Sequence, residues 1–282
     1  MAFGDFNRIN TNVQTLESRF SLDKINKELG ITQLRLSTGF RINRAEDDAA
    51  GFSISAKLSS RIAGLEQGLS NTGDAKSVLD IAESSLNSML DILTTLKTKA
   101  TQAANDTYGV DERQFIQDQI DSLVNELNSL VTTTVYQGRS LLGGTYNATF
   151  QVGERGADVI NVQLTSGGAD AGFTASGLEI DALDVSSFAS AQLAMVSIDS
   201  AIDYIAGAVN NLGLYQTQLS IREEILTQAI NSNSSARSRI RDADFAKEQS
   251  DVLKLQILQQ TAIASLAQAN AAPQAVLGFI SA

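Results

Sequence analysis

The sequence predicts a mainly α-helical protein, a long antiparallel helical bundle with terminal coiled-coil helices and a small β-hairpin region. Three observations support this fold class. The 282 residues include a single proline, Pro273, and proline inside a helix costs about 3 kcal/mol. Apolar residues recur at spacings of three and four along most of the chain, as on one face of a helix. A short central stretch, residues 146–165, instead shows the apolar–polar alternation of strands.

Five segments show the helical spacing, and the second repeats in a heptad-like seam. The third is predicted to open at Asp111, with Gln114 completing a capping box, and the last to begin near Asp244. Along the chain, the apolar faces are formed by Val13, Leu16 and Phe20, continued by Leu22, Ile25, Leu29 and Leu36; by Val78, Ala82, Leu86, Met89, Leu93, Leu96 and Ala100; by Ile116, Ile120, Leu123, Leu127 and Leu130; by Ile198, Ile202, Ile205, Val209, Leu212, Leu219, Leu226 and Ile230; and by Val252, Leu255, Leu258, Ala262, Leu266 and Ala269.

The centre of the chain reads differently. Alternating residues 146–152 and 160–164 flank the turn sequence GERGAD, with Gly153 and Gly156 at turn positions. This arrangement predicts a β-hairpin. The following stretch SGGADAGFTASG, residues 166–177, is predicted to be a small polar loop.

Composition argues against catalysis. The chain contains no His, Cys or Trp, so the commonest general base and metal ligand, thiolate nucleophiles, structural zinc and disulfides are all excluded. We therefore expect a protein that is not an enzyme and that uses no cofactor or metal.

Charge is unevenly distributed along the sequence. The net charge is +3 for residues 1–44, −15 for 45–236 and +1 for 237–282. Nucleic-acid binding requires a basic patch and is not expected. The last 28 residues carry no charge, but glutamines interrupt them, so we expect a helix covered by a protein partner and not a membrane insertion. The first residues, MAFGDFNRIN, lack the pattern of a signal peptide.

The stretch LSTGFRINRAEDDAAGFSIS, residues 36–55, combines glycines, arginines and carboxylates, as phosphate loops and metal sites do. It has no GxxxxGK[ST] pattern, and its glycines lie twelve residues apart. Glu46, Asp47 and Asp48 are consecutive, so on a helix they point in different directions and form no EF-hand spacing. A phosphate-binding or metal-binding role for this stretch is therefore not favoured.

A structural interpretation fits better. Gly39 follows a helix where a left-handed C-terminal residue belongs. Arg41 and Arg44 add cations, and Asp47 or Asp48 is placed to start the next helix. We predict a charged corner between two helical layers.

A second charged stretch precedes the last helix. Arg237, Arg239 and Arg241 are followed by Asp242 and Asp244. A mutual network between the two corners is expected to hold an assembly together. The predicted assembly-corner residues are Gly39, Arg41, Arg44, Asp47, Asp48, Arg239, Arg241, Asp242 and Asp244.

The terminal helices gain most stability when other copies cover their apolar faces, because two helices alone expose most of their surface. We therefore predict polymerisation through these helices. The residues predicted to carry it are Leu16, Phe20, Leu29, Val252, Leu255, Leu258 and Leu266.

Several motifs resemble those of bacterial flagellins. LSTGFRINRAEDDAAGFSIS resembles the family's N-terminal signature, and SSARSRIRDADFAKEQS with ILQQTAIASLAQANAAPQAVLGFI is similar to its C-terminal signature. NTGDAKSVLDIAESSLN and FIQDQIDSLVNELNSLVTTTVYQGRSLL look like its second and third helices, although the usual T-x-F-N-G appears here as V-Y-Q-G. The resemblance covers about residues 1–165 and 190–282.

The resemblance implies a structural subunit of the bacterial flagellar filament used for motility. Residues 1–40 and 244–282 would form a coiled-coil inner tube, and residues 41–243 an outer tube with the hairpin near 146–165, without large variable outer domains. It further implies type III export as an unfolded chain, secretion to the extracellular filament, self-assembly into a helical homopolymer, and contact with an export chaperone, junction proteins and a cap protein.

One region departs from the family pattern. Flagellins sensed by the vertebrate innate receptor carry leucine-glutamine-arginine-valine-arginine-glutamate-leucine where this chain reads Leu93 to Lys99. A further family glutamate appears as Gln119. The resemblance therefore implies weak or absent receptor recognition. The altered positions are Thr94, Thr95, Lys97, Thr98 and Gln119.

Three alternatives stay open at this point. A hook–filament junction protein shares similar terminal helices. An enzyme of the kind carried in the variable region of some flagellins would need a histidine motif and a larger insert than this chain has. A dimeric coiled-coil adaptor would also use long helices.

Overall fold

The computed structural model describes residues 11–166 and 172–280, with side chains described as far as residue 271. Helices dominate, which confirms the predicted fold class. In chain order the elements are α1 (Val13–Thr38), α2 (Ala49–Ala103), α3 (Val110–Thr133), β1 (Val135–Tyr136), β2 (Arg139–Ser140), β3 (Asn147–Gln151), β4 (Val159–Gln163), α4 (Phe188–Arg241) and α5 (Phe245–Ile280). Within the described residues, no helix has both the length and the apolar character of a membrane span.

The chain divides into two compact units. The terminal unit comprises residues 1–60 and 232–282, and the central unit comprises residues 61–231. These boundaries lie farther from the chain ends than the predicted divisions after residue 40 and before residue 244. The assignment of the chain to inner-tube and outer-tube domains stays a prediction.

In the terminal unit, α1 pairs with α5 in antiparallel fashion. Asn12 Nδ2 donates to the carbonyl oxygen of Ala269 (2.8 Å), and Gln259 Nε2 donates to Asn26 Oδ1 (2.7 Å). Side chains along the pair are buried in a small cluster. Its buried members are Leu29, Val252 and Leu255, with Ile25 and Leu36 packed against them.

In the central unit, α2, α3 and α4 contribute one hydrophobic core. Lys76 pairs with Glu223 and Lys97 with Asp199, so α2 and α4 run antiparallel. The heptad seam predicted on α2 faces inward. Its fully buried residues include Leu86, Met89, Leu93 and Leu96, which pack with Ile120 and Leu127 of α3 and Ile198, Ile205, Leu212 and Leu219 of α4.

The predicted central hairpin is confirmed. Strands β3 and β4 pair antiparallel from Asn147 opposite Gln163 to Gln151 opposite Val159. A second hairpin, formed by β1 and β2, was not predicted from the sequence. Its turn residues Gln137 (φ 49°) and Gly138 (φ 78°) both have positive φ, as a tight two-residue turn requires.

Helix α2 runs for 55 residues without interruption, although Gly68 and Gly73 lie inside it. Two features differ from expectation, the start of α3 and the stretch after β4. Helix α3 begins after Gly109 without a side-chain cap, so the predicted capping box is wrong: Gln114 Nε2 instead donates to Asp118 Oδ1 at 3.1 Å.

The described part of the predicted polar loop is packed. Phe173 and Ala175 are buried. The segment is attached to α3 because the amide oxygen of Asn128 accepts a hydrogen bond from the Ala175 N–H at 2.9 Å. Small residues here reflect close packing and not a solvent-exposed loop.

Candidate functional site

The first charged corner begins where α1 ends. Gly39 adopts the left-handed conformation (φ 72°, ψ 4°), and its N–H donates to the carbonyl oxygen of Arg35 at 2.9 Å. This is the helix-ending geometry predicted from the sequence. Glycine suits it because a side chain disfavours positive φ.

The two aspartates of this corner accept hydrogen bonds from backbone N–H groups of nearby residues. Asp47 Oδ2 accepts hydrogen bonds from the N–H groups of Asn43 (3.0 Å) and Arg44 (2.9 Å). These two bonds hold the pKa of the Asp47 carboxyl below its ordinary value. Asp48 Oδ1 accepts from the Gly51 N–H at 2.9 Å, which makes Asp48 the N-cap of α2.

The second corner meets the first through the backbone. Arg41 N–H donates to the carbonyl oxygen of Arg241 (2.7 Å), and Arg41 Nη2 donates to that of Ile240 (2.7 Å). The Ala243 N–H donates to the carbonyl oxygen of Gly39 at 2.9 Å. Arg41 therefore satisfies carbonyl groups that the C-terminal end of α4 leaves without helical partners.

Two other residues complete the junction. The Arg241 guanidinium lies over the Phe40 ring, 4.2 Å from its centroid, a cation–π contact. Asp244 Oδ1 accepts from the N–H groups of Ala246 (3.0 Å) and Lys247 (3.2 Å), so it caps α5 at the predicted start. Arg239 and Asp242 are exposed.

The expected network of arginines and carboxylates between the corners takes a different form. Among the described residues, no ion pair joins one predicted corner to the other; Arg44 pairs locally with Glu46 at 3.2 Å. The physical reason is that helix ends present unpaired carbonyl and N–H groups, and these attract the charged side chains first.

One ion pair of the terminal unit was not predicted from the sequence. Arg35, in the last turn of α1, lies 3.6 Å from Glu248, in the first turn of α5. Glu248 is buried. The available signal was a cation at a helix C-terminus and an acid at a helix N-terminus, both favoured by the helix dipole.

The residues predicted to carry polymerisation fall into two groups. Leu29, Val252 and Leu255 are buried within the α1–α5 pair, so in the isolated chain they hold these two helices together. Leu16 and Phe20 are exposed. Leu258 is exposed as well, and Leu266 is half-buried.

The altered receptor region lies on the outside of the central unit. Thr94, Thr95 and Thr98 of α2 are exposed, and each hydroxyl donates to the carbonyl oxygen four residues earlier. Lys97 is half-buried and pairs with Asp199 of α4. Gln119 of α3 is exposed.

No arrangement suited to metal chemistry accompanies these surfaces. Within the described ranges, no group of three or more His, Cys, Asp or Glu side chains is placed to hold a metal ion. The terminal unit contains a helix junction and an exposed apolar surface, and both are suited to contacts with other proteins.

The comparisons with known proteins agree on one family. The model of the bacterial flagellin N-terminal helical region matches residues 9–147, and that of the bacterial flagellin C-terminal helical region matches residues 195–280. Flagellin of Bacillus subtilis (strain 168) is 35% identical, over 97% of this chain and 99% of that protein. Flagellin FlaB1 of Treponema pallidum (strain Nichols) is 30% identical, over 96% and 99%.

One solved structure supports the fold alone. A putative flagellar hook-associated protein from Vibrio parahaemolyticus superposes with a TM-score of 0.59 over 70% of this chain and all of that one, at 14% identity. The sequence relatives, matched over nearly their whole length, carry the assignment. The chain therefore belongs to the bacterial flagellin family.

Proposed function

We propose that this chain, a structural subunit of the bacterial flagellar filament, polymerises through the exposed apolar faces of its α1–α5 pair. In this proposal residues 1–40 and 244–282 form the inner tube of the filament and residues 41–243 the outer tube. The role is mechanical and not catalytic, since the subunit transmits force through contacts with other copies.

The observation that supports this proposal is the number of large apolar side chains left uncovered on α1 and α5. Monomeric proteins rarely expose extended apolar surfaces unless these are interaction sites. Phe20, for example, is 74% exposed. Among the residues of the two helices whose side chains are described, the large apolar ones that are exposed are Val13, Leu16, Phe20, Leu34, Phe245, Leu253, Ile257, Leu258 and Ile263.

Export and capping complete the proposal. The subunit leaves the cell unfolded through the type III export apparatus with an export chaperone, and it joins the extracellular filament beneath a cap protein, above junction proteins. A chain without cysteine suits this path because it forms no disulfides in transit. The alternative of a junction protein has no support from the sequence relatives, which are flagellins.

Seeded polymerisation tests the proposal. Purified protein is added to short filament fragments of the same protein, and growth is followed by electron microscopy. The full chain should elongate the seeds, and a chain ending at Lys254 should not. Elongation of the shortened chain at the full-length rate would contradict the role of the terminal helices.

A matched pair of leucines sharpens the test. Leu16 on α1 is 57% exposed and Leu214 on α4 is 58% exposed. We expect Leu16→Ser to slow elongation and Leu214→Ser to affect it much less. Equal effects would mean that exposed apolar surface in general, and not the terminal pair, drives assembly.

A further inference from the structure

The two compact units differ strongly in charge. The terminal unit contains 13 Lys or Arg residues and 11 Asp or Glu residues, a net charge of +2. The central unit contains 8 basic and 21 acidic residues, a net charge of −13. In a polymer of identical chains, net charge alone would therefore oppose contacts between central units and favour contacts between unlike units.

Four arginines of the terminal unit surround the C-terminal end of α4 and form an arginine corner, which we define as Arg41, Arg237, Arg239 and Arg241. Among the described residues, none of these four arginines forms an ion pair. Arg41 binds backbone carbonyls, Arg241 stacks on Phe40, and Arg237 Nη1 lies 3.4 Å from Ser59 Oγ.

Nearby acids do not neutralise this corner directly. Asp47, Asp48 and Asp244 are bound to backbone N–H groups at the starts of turns and helices. Asp242 and Arg239 are both exposed. The arginine corner therefore keeps positive charge without an ion-pair partner among the described residues, and the exposed side chain of Arg239 is available to another molecule.

Helix α3 of the central unit has the opposite character. Its one cation, Arg113, donates to the carbonyl oxygens of Ala103 and Asn105 and lies 3.6 Å from Asp106. Its carboxylates form no ion pairs within the described part of the chain. They are all exposed, and they are Asp111, Glu112, Asp118, Asp121 and Glu126.

An aromatic side chain lies among these acids. Phe115 is 67% exposed, and its spacing of four from Asp111 and three from Asp118 puts all three on one face of α3. We call this the acidic face of α3. An exposed ring with carboxylates on either side is suited to guanidinium groups, which pair with carboxylates and stack on rings.

We propose that the acidic face of α3 in one copy docks onto the arginine corner of a neighbouring copy in the filament. The occupant is a second copy because one chain carries both complementary surfaces. This inference rests on the proposed polymerisation and extends it. The apolar α1–α5 faces supply association, and the charged contact selects which neighbour and which register each copy adopts.

A charge-swap experiment in the full chain tests this contact. Variant one carries Asp118→Arg and Asp121→Arg, variant two carries Arg237→Glu and Arg239→Glu, and variant three carries all four changes. Seeded elongation is measured for each by electron microscopy. We expect variants one and two to elongate about tenfold more slowly, because like charges now face each other, and variant three to recover most of the rate.

Matched controls separate this contact from a general charge effect. Asp74 and Asp91 are exposed on α2 of the same unit. Asp74→Arg with Asp91→Arg should neither slow elongation comparably nor rescue variant two. Rescue by these changes, failure of variant three to recover, or normal elongation of variant one would each overturn the inference.

Two further measurements are needed, the folding of each monomer and the elongation of the unaltered chain. Circular dichroism of each monomer establishes that it is folded; if Arg237→Glu reduces helicity, the comparison uses Arg239→Glu alone, since Arg239 is exposed. Failure of the unaltered chain to elongate would overturn the proposed function. Elongation of the unaltered chain without rescue by the swap would overturn the docking inference alone.

Discussion

Gly39 ends α1 with a positive φ of 72°, in space that is otherwise open to a side chain. Gly39→Ala is therefore expected to lower the free energy of unfolding by about 1 kcal/mol through backbone strain alone. Gly30 provides the control, since it lies inside α1, also with open space around it. Gly30→Ala should instead raise stability by up to about 1 kcal/mol.

Denaturant unfolding followed by circular dichroism measures both changes. The opposite signs are the informative result, because both substitutions add the same methyl group in open space. Two changes of the same sign would show that local packing, and not the sign of φ, decides the effect at Gly39.

Asp47 makes the corner sensitive to acid. Its pKa is lowered from the ordinary value of 3.8, first by the hydrogen bonds from the Arg44 and Asn43 N–H groups. A carboxyl with a lower pKa in the folded chain contributes stability above its unfolded pKa and loses it as the pH falls through the folded value. Asp47→Asn should therefore reduce stability at pH 7, and the difference from the unaltered chain should shrink below pH about 4.

Denaturant unfolding at a series of pH values measures this difference. Asp23→Asn, at an exposed position of α1 outside the corner, serves as the control and should produce a much smaller effect at pH 7. A penalty for Asp47→Asn that persists unchanged at low pH would assign the effect to the shape of the turn and not to the carboxylate charge.

At the scale of the helix pair, Leu255 and Leu253 separate contacts within the chain from contacts between chains. Leu255 is 8% exposed and packs in the α1–α5 cluster, whereas Leu253 is 53% exposed. Leu255→Ala should lower monomer stability by about 2 kcal/mol, and Leu253→Ala should change it by less than about 0.5 kcal/mol.

Thermal unfolding of the monomer and seeded elongation together test this division. Leu253→Ala should slow elongation while leaving the melting temperature almost unchanged. Normal elongation of that variant would remove Leu253 from the proposed interface, and a large loss of monomer stability would show that it packs within the chain.

The elements that the sequence predicted well are those whose pattern is local. The apolar faces of α1, α3, α4 and α5 repeat at helical spacing, and the alternation around GERGAD marks β3 and β4. Such patterns follow from which side of an element is buried, so they can be read without knowing what covers that side.

The elements that were missed depend on distant partners. The sequence did not show why Gly68 lies inside α2: a Cβ at this position would lie 3.0 Å from the backbone of Gly153. Glycine is required there because β3 and its turn approach the helix closely. Likewise, Phe173 is buried in a segment rich in small residues, and Asn128 of α3, 47 positions before Ala175, holds this segment in place.

At the candidate site, too, local features could be predicted from the sequence and contacts with distant residues could not. The capping roles of Gly39, Asp48 and Asp244 are local, and the sequence indicated them. The partners of Arg41 are carbonyl groups of residues 240 and 241, almost two hundred positions away. Charge alone suggested carboxylate partners for the arginine, and only the meeting of the two chain segments shows which groups are nearer.

At the scale of the whole molecule, the surface that a host receptor would meet differs from the family pattern at three positions. The resemblance to flagellins places Thr95 and Thr98 where receptor-stimulating members carry arginine and glutamate, and Gln119 where they carry glutamate. All three are exposed in this chain. Because the hydroxyls of Thr95 and Thr98 bind carbonyl groups of their own helix and no other described residue, substitution there should leave the fold intact.

We therefore expect purified monomer to stimulate receptor-reporter cells weakly or not at all. The triple variant Thr95→Arg, Thr98→Glu and Gln119→Glu should stimulate them more strongly, by about tenfold if the added charges contribute about 1.4 kcal/mol to binding. Ser84→Arg with Ser88→Glu, at exposed positions of the same helix, should have no such effect. Full stimulation by the unaltered monomer would mean that recognition does not depend on the charges at these positions, since the chain reaches it with threonines and a glutamine in their place.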